Sequence, residues 1–189
     1  MKKYMLALVL AIVTAGCFTF TRSEPVKLSV FAGTVERVAK EKGVSLVESA
    51  TLIRAAGVTG FDASYSDTKL PEFVKTGLKP INFYGFMQFF GPDGGAKASD
   101  EFVATAVKYG VPRIMVIPDN FSAGGDQEAE YVQIREGLRN LVTKANDAGI
   151  VVMVEDFGGT NNPCSYAKYL TRFLTDIPEL RFALDSGNL

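Results

Sequence analysis

Two carboxylate residues follow apolar runs near the C-terminal end of the chain, in positions that could support chemistry. The apolar residues Val151 to Val154 precede Glu155 and Asp156, and a second apolar run ends at Asp185. An uninterrupted apolar run is typical of a parallel strand that is buried on both faces. Proteins of the α/β class place their chemistry at the carboxyl ends of such strands. We therefore expect Glu155 and Asp185 to lie at one mouth of a parallel sheet.

Alternation along these two predicted strands indicates which side chains share a face. Met153 and Glu155 share a face of the first strand, and Ala183 and Asp185 share a face of the second. Both faces end in a carboxylate, and oxygen ligands of this kind suit Mg²⁺ or Mn²⁺. The alternative interpretation is that Glu155 and Asp185 are solvated charges at strand ends or helix caps.

The composition restricts the chemistry that this chain can perform. Its 189 residues are 47% hydrophobic and 22% charged, which indicates one globular domain with a sizeable core. The net charge of −1 gives no indication of a nucleic-acid partner, since such domains are usually basic. The chain has no histidine, so its chemistry must use carboxylates, Lys, Tyr or Cys. A nucleophilic role for Cys164 is disfavoured, because no histidine exists to activate it.

The N-terminal residues resemble an export signal. Lys2 and Lys3 precede an apolar run from residue 4 to residue 15, which is shorter than the ~20 residues of a membrane span. Small residues then lead to Gly16 and Cys17, a pattern similar to the lipobox of bacterial lipoproteins. We expect a signal peptide over 1–17, lipidation of Cys17, a polar tether over 18–25, and export to the periplasm or an outer-membrane anchor. An ordinary signal cleaved near Ala15 is the alternative.

Residues 26–189 alternate between predicted strands and helices. Strands are expected to begin near residues 26, 59, 80, 112, 150 and 181, and strict alternation predicts a parallel sheet with crossover helices. The spacing averages about 31 residues per unit, as in a (β/α)8 barrel of ~250 residues. An open, flavodoxin-like sheet is the alternative. Ser45 and Glu48 predict a capping box, Ser99 a helix N-cap, and Pro163 the first residue of a helix.

Four segments resemble the xylose isomerase-like TIM barrels, the group that includes sugar phosphate isomerases/epimerases and family-2 AP endonucleases. They are Ala55-Ala-Gly-Val-Thr-Gly-Phe-Asp62, residues 104–116, Leu141 to Glu155, and Leu180-Arg-Phe-Ala-Leu-Asp185-Ser-Gly-Asn188-Leu189. Their order and spacing match strands two, four, five and six of that family. The resemblance implies an α/β fold of the (β/α)8 TIM-barrel type, incomplete here, with about six βα units over 26–189.

The family implies a divalent metal, Mn, Mg or Zn, at the mouth of the barrel. Its ligands come from strands five to eight, and carried over to this sequence the first two are Glu155 and Asp185. Glu155 would also be the catalytic residue that moves a proton next to a sugar carbonyl. We expect Tyr65, Phe86 and Asn188 to contact substrate. Tyr65 stands where the family often has Glu and Asn188 where it often has His, and the expected strands seven and eight do not follow.

These observations predict an exported, metal-dependent sugar isomerase/epimerase-like protein. The alternative is a non-catalytic carbohydrate-binding or structural lipoprotein with a degenerate barrel. AP-endonuclease-like cleavage is disfavoured, because it requires several histidine ligands and a basic groove. The expected partners are a small-molecule sugar, a membrane through the lipid anchor, and further copies of the chain, since unpaired edges of strands one and six favour association.

The resemblance to a lipobox predicts that Cys17 anchors the mature protein to a membrane. Replacing Cys17→Ser is expected to move the protein from the membrane fraction to the soluble fraction, because the thioether-linked lipid cannot form. Cell fractionation with metabolic labelling by a fatty acid measures both effects. A wild-type protein found wholly in the soluble fraction would contradict this prediction.

Overall fold

The computed structural model describes residues 27–159 and 161–188. The strands of this part form one parallel sheet: β1 Ser29–Phe31, β2 Gly60–Ser64, β3 Lys79–Met87, β4 Arg113–Pro118, β5 Val151–Glu155 and β6 Arg181–Ala183. The helices between them are α1 Ala32–Lys42, α2 Leu46–Ala55, α3 Leu70–Lys75, α4 Ala96–Tyr109, α5 Gln127–Asp147 and α6 Ala167–Asp176, with a 3₁₀ turn at Pro163–Ser165.

The order of the strands distinguishes a barrel from an open doubly wound sheet. Each described strand pairs in parallel with the next one along the chain, so the order is β1-β2-β3-β4-β5-β6. A doubly wound sheet reverses its strand order at a switch point, and the described strands show no reversal. The consecutive order belongs to a barrel, in which every crossover returns on the same side. The prediction of a barrel-type fold with about six units is confirmed.

The two faces of the sheet have different environments. One face packs against the helices and is fully buried, as at Ile114 and Val116 in β4 and at Val152 and Val154 in β5. The alternate residues face the concave side, where Met153 lines a cavity. Burial of the helix-side face contributes ~25 cal/mol per Å² of apolar surface, so this face supplies the stability. The concave face is thereby available for polar and aromatic side chains.

The cap predicted for α2 is present in the structure, whereas the cap predicted for α4 is not. Ser45 Oγ accepts from the Glu48 N–H at 3.2 Å and Glu48 accepts from the Ser45 N–H at 2.9 Å, which confirms the capping box of α2. The predicted N-cap at Ser99 is wrong, because α4 begins at Ala96 and Ser99 Oγ donates to the Gly95 carbonyl inside the helix. Gly95 is the N-cap residue of this helix, and Asp93, two residues before it, accepts the N–H groups of Gly95 and Lys97.

The helix predicted to begin at Pro163 is split in two. Pro163 does occupy a first helical position, but of a short 3₁₀ turn that Asn162 caps through its side chain. Tyr166 then has an extended backbone, and α6 begins at Ala167. The chain therefore changes direction between the turn and the helix.

Several expectations fall outside the described residues. They are the signal peptide over 1–17, lipidation at Cys17, the tether over 18–25, and the first residue of the strand predicted to begin at Val26. Within the residues that the structure describes, none of the helices combines the length and the apolar run that crossing a bilayer requires.

Two helical glycines provide a matched test of the packing between α5 and the loop that follows β3. A Cβ added at Gly137 would lie 2.1 Å from Cδ1 of the buried Phe89, whereas a Cβ at Gly33 would meet nothing within 4 Å. Gly137→Ala is therefore expected to lower the free energy of unfolding by ~1–3 kcal/mol through overpacking. Gly33→Ala is expected to leave it unchanged or raise it by up to ~1 kcal/mol, because alanine favours the helix. Urea unfolding measures both, and a Gly137→Ala protein as stable as wild type would contradict the packing.

Candidate functional site

Parallel pairing of β5 and β6 brings the two predicted carboxylates together. Glu155 lies opposite Ala183 in the ladder, and Asp185 follows two residues later. Both side chains line a cavity of about 330 Å³ on the concave side of the sheet, which we call the inner cavity. Met153 and Ala183 line the same cavity, so the predicted sharing of faces is confirmed. The roles of Glu155 and Asp185 remain predictions.

The environment of Glu155 makes its carboxyl group more basic. Burial raises the pKa of Glu155 above its ordinary value, because the charged form loses solvation. The negative charge of Asp185 and a hydrogen bond shared with its carboxyl group raise this pKa further, and the charge of Asp156 adds a smaller effect. A carboxylate with a raised pKa is a stronger base than an ordinary surface glutamate, as proton abstraction requires.

A polar cluster that the sequence analysis missed lines another part of the inner cavity. Ser29 Oγ donates to Asp62 Oδ2 at 2.8 Å, and Asn82 and Arg113 line the same cavity. Burial raises the pKa of Asp62, while Ser29, the Asn82 N–H and the charge of Arg113 oppose this shift. Alternation provided a usable signal, since Asp62 lies two residues before the end of its strand and faces the same side as Ser64.

Aromatic side chains surround the carboxylate pair at the outer end of the barrel. A second cavity of about 330 Å³, which we call the mouth cavity, is lined by both carboxylates and by Phe31, Tyr84, Phe86, Met115, Ile117 and Phe157. Phe31 packs edge-on against Tyr84 with ring centroids 5.7 Å apart, and Phe86 packs edge-on against Phe157 at 5.5 Å. Phe31 is 57% exposed and Phe86 64% exposed, so their rings present apolar faces to solvent. The structure therefore places Phe86 where a substrate could contact it.

The predicted substrate contact at Tyr65 is not supported by its position. The Tyr65 ring stacks on Phe102 of α4 with centroids 4.3 Å apart, and Phe102 is fully buried between the helices and the sheet. Alternation explains this result, because Asp62 and Ser64 face the concave side and the next residue turns toward the helices. Phe121 likewise packs in the helix layer, edge-on to Tyr169 at 4.8 Å.

The third predicted substrate contact, Asn188, lies beside the carboxylate pair. Its Nδ2 donates to Asp185 Oδ2 at 3.3 Å, and its backbone N–H donates to the Asp185 carbonyl at 3.0 Å. Asp185 Oδ1 also accepts from the Gly187 N–H at 2.8 Å. This turn orients the Asp185 carboxylate, so Asn188 contacts one of the two predicted ligands.

The loop after β5 is tied to the end of β4 by a buried amide. Asn162 Nδ2 donates to the Pro118 carbonyl at 3.1 Å and to Asn120 Oδ1 at 3.2 Å, and its Oδ1 accepts from the Cys164 N–H at 2.9 Å. Burial and the charges of Glu155 and Asp156 raise the pKa of Cys164 to about 12. The thiol is therefore neutral near pH 7, and a neutral thiol is a poor nucleophile.

The carboxylate pair suits an oxygen-liganded cation. Mg²⁺ is commonly held by one or two protein carboxylates, while water and substrate oxygens complete its octahedron, and Mn²⁺ accepts similar ligands. Glu155 and Asp185 meet that requirement. Over residues 27–159 and 161–188, no group of three or more Asp, Glu or Cys side chains is arranged to hold a metal ion. A divalent metal, Mn, Mg or Zn, at this carboxylate pair stays a prediction.

Comparison with known proteins identifies the fold. The chain matches no protein-family model, and no curated protein sequence matches it. Solved structures do match, among them the probable 3-DHS dehydratase AsbF of Bacillus anthracis, with a TM-score of 0.63 and 12% identity over 85% of this chain. A sugar phosphate isomerase/epimerase of Parabacteroides distasonis has a TM-score of 0.56 and 13% identity over 86% of this chain. An L-ribulose 3-epimerase has a TM-score of 0.65 and 13% identity over 86%.

These similarities establish a fold of the (β/α)8 TIM-barrel type. The chain spans about 63% of the length of AsbF, 69% of the Parabacteroides protein and 61% of the L-ribulose 3-epimerase. The three proteins carry out different reactions by their names, so the fold does not select a reaction. The reaction must be argued from the side chains on the concave face.

The raised pKa of Glu155 predicts how stability depends on pH. Because the pKa of Glu155 is raised in the folded state, ionising this carboxyl group destabilises the fold. The neutral carboxyl group stabilises the fold fully at pH values below the unfolded-state pKa, and this stabilisation is lost as pH rises through the folded-state pKa. Glu155→Gln keeps a neutral side chain and is expected to raise the Tm at pH 7 but not at pH 4. Differential scanning calorimetry at both pH values measures this, with the exposed Glu179→Gln as the matched control. Equal effects of Glu155→Gln at pH 7 and pH 4 would contradict the raised pKa.

Proposed function

We propose that this chain is a divalent-metal-dependent sugar isomerase/epimerase that transfers a proton next to a sugar carbonyl. The observation that carries the proposal is the pair of adjacent carboxyl groups, Glu155 and Asp185, which lines both the inner cavity and the mouth cavity. Solved structures with this fold include a sugar phosphate isomerase/epimerase and an L-ribulose 3-epimerase. The inner cavity, at about 330 Å³, lies at the lower end of the range for small-molecule sites.

Glu155 is the base in this proposal. Its raised pKa favours acceptance of a proton from the carbon next to the carbonyl. The same carboxyl group then returns the proton to the former carbonyl carbon, while a proton passes from the neighbouring hydroxyl to the carbonyl oxygen, so that an aldose and a ketose interconvert. Asp185 and Glu155 supply the oxygen ligands that would hold Mg²⁺ or Mn²⁺. When bound, such an ion polarises the carbonyl and hydroxyl oxygens of the sugar.

The remaining walls of the two cavities match the two kinds of surface on a sugar. The exposed faces of Phe31 and Phe86 would pack against apolar C–H faces of the ring or chain. Asn82 and Arg113 line the inner cavity and offer hydrogen-bonding groups to hydroxyls.

Export and membrane anchoring are part of the proposal for the N-terminal residues. The charged, apolar and small residues that lead to Cys17 support a lipoprotein signal. The substrate would then be a sugar that reaches the periplasm or the outer membrane.

A carbohydrate-binding protein without catalysis is the second candidate. The observation that favours it is the exposure of Phe31 and Phe86, whose rings would bind a sugar whether or not a proton moves. The two candidates differ in one measurable property, the exchange of a carbon-bound hydrogen.

Deuterium uptake from D₂O tests the proposed reaction across many sugars with one readout. The chain is incubated with Mn²⁺ and a panel of aldoses and ketoses, and proton NMR follows loss of the hydrogen next to the carbonyl. We expect at least one sugar to exchange, and Glu155→Gln to slow exchange by ~10²-fold or more, because a general base is lost. Glu179→Gln, an exposed and distant replacement of the same kind, should exchange at the wild-type rate.

Two outcomes would count against this function. Sugar binding seen by calorimetry without deuterium uptake would favour the non-catalytic candidate. Uptake that persists at the wild-type rate in Glu155→Gln would show that another group is the base.

A further inference from the structure

The ladder between β5 and β6 ends before it reaches Asp185. Its last pair is Glu155 with Ala183, and the chain leaves the sheet as a turn over residues 184–188. Gly187 and Asn188 donate their hydrogen bonds back to Asp185, so these bonds shape the turn without fixing it to β5. A separate contact is needed to hold the Asp185 backbone next to Glu155.

Asp156 makes that contact across the two strands. Its Oδ1 accepts the backbone N–H of Asp185 at 2.7 Å, although the two residues are 29 positions apart in sequence. A hydrogen bond from an amide to a carboxylate is shorter and roughly twice as strong as a neutral one, and this distance is in the expected range. Asp156 thereby continues the pairing of β5 with β6 by one step, with a side chain replacing the backbone carbonyl.

The geometry of this contact explains how two carboxylates of like charge stay together. Glu155 and Asp185 line the same two cavities, and two negative charges held this close repel each other. The turn over residues 184–188 could relieve the repulsion by swinging away from β5. The bond from the Asp185 N–H to Asp156 opposes that movement, because the bond would have to break.

The second carboxylate oxygen of Asp156 lies in a place that lowers the stability of the fold. Within the described part of the chain, Oδ2 of Asp156 is buried and has no hydrogen-bond partner. An unsatisfied buried acceptor typically destabilises a fold by ~1–3 kcal/mol. A buried acceptor of this kind calls for an explanation, and the bond from Asp156 Oδ1 to the Asp185 backbone is consistent with a positioning role.

We propose that Asp156 is a positioning residue that holds Asp185 against Glu155 and so determines the affinity of the carboxylate pair for a divalent cation. The proposal rests on the proposed function for the cation, but the hydrogen bond itself does not. Residues that orient metal ligands commonly change metal affinity by 10–100-fold when they are replaced.

Three replacements separate position from charge. Asp156→Ala removes the acceptor, Asp156→Asn keeps an acceptor oxygen at the same place without the charge, and Asp156→Glu keeps the charge but displaces the acceptor by one methylene. Asp147→Ala, at the exposed end of α5, is the matched control for loss of a carboxylate. Asp156→Glu also serves if Asp156→Ala does not fold.

Two measurements on the full chain test the proposal. Hydrogen exchange of the Asp185 amide by NMR reports the bond, and isothermal titration with Mn²⁺ reports the affinity. We expect Asp156→Ala and Asp156→Glu to speed exchange of this amide by ~10-fold or more and to weaken Mn²⁺ binding by ~10–100-fold. Asp156→Asn should stay close to wild type in amide exchange and within several-fold of it in affinity, and Asp147→Ala should match wild type in both.

The outcomes distinguish this proposal from the proposed function. Wild-type Mn²⁺ affinity in Asp156→Ala would overturn the positioning role. A wild-type chain that binds no Mn²⁺ would overturn the metal-dependent function, and amide exchange would then decide the role of Asp156 alone. In that case faster exchange in Asp156→Ala supports the positioning role, and unchanged exchange overturns it.

Discussion

Holding two carboxyl groups of like charge side by side is the constraint on which the rest of this structure depends. In open solvent, water would stabilise the charges of both Glu155 and Asp185. On a partly buried surface, mutual repulsion and lost solvation disfavour the ionisation of both carboxyl groups at once. The parallel pairing of β5 with β6 opposes this through backbone hydrogen bonds. A site of this kind needs a rigid scaffold, because any loosening of the strand ends would let the charges separate.

The scaffold obtains its rigidity from the opposite face of the same strands. Val152 and Val154 are fully buried against the helices, and each alternates with a residue that faces the cavities. Apolar burial on one side thus compensates for polar and exposed aromatic residues on the other. This division lets the concave face vary, and it agrees with solved structures of this fold whose names describe different reactions.

Side-chain hydrogen bonds hold the loops in place beyond the points where the backbone hydrogen bonds of the sheet end. Asn162 ties the loop after β5 to the end of β4, and Ser165 Oγ donates to the Phe157 carbonyl in the same loop. Phe157 in turn supports the exposed ring of Phe86 at the mouth. The ends of parallel strands have few backbone partners, so bonds of this type determine where the functional side chains lie.

The sequence by itself determined the alternating strand–helix units of a parallel α/β sheet and the facing of Glu155 and Asp185. These follow from local periodicity, since alternation in a strand assigns each residue to a face and an apolar run with a terminal charge marks a strand end. The tertiary structure alone decided that Tyr65 packs beneath α4 and that Asp156 binds the Asp185 backbone. Asp62 and Arg113 share a cavity for the same reason. Contacts between residues 29 to 51 positions apart depend on how strands and helices are packed. A local sequence pattern therefore does not predict which of these residues meet.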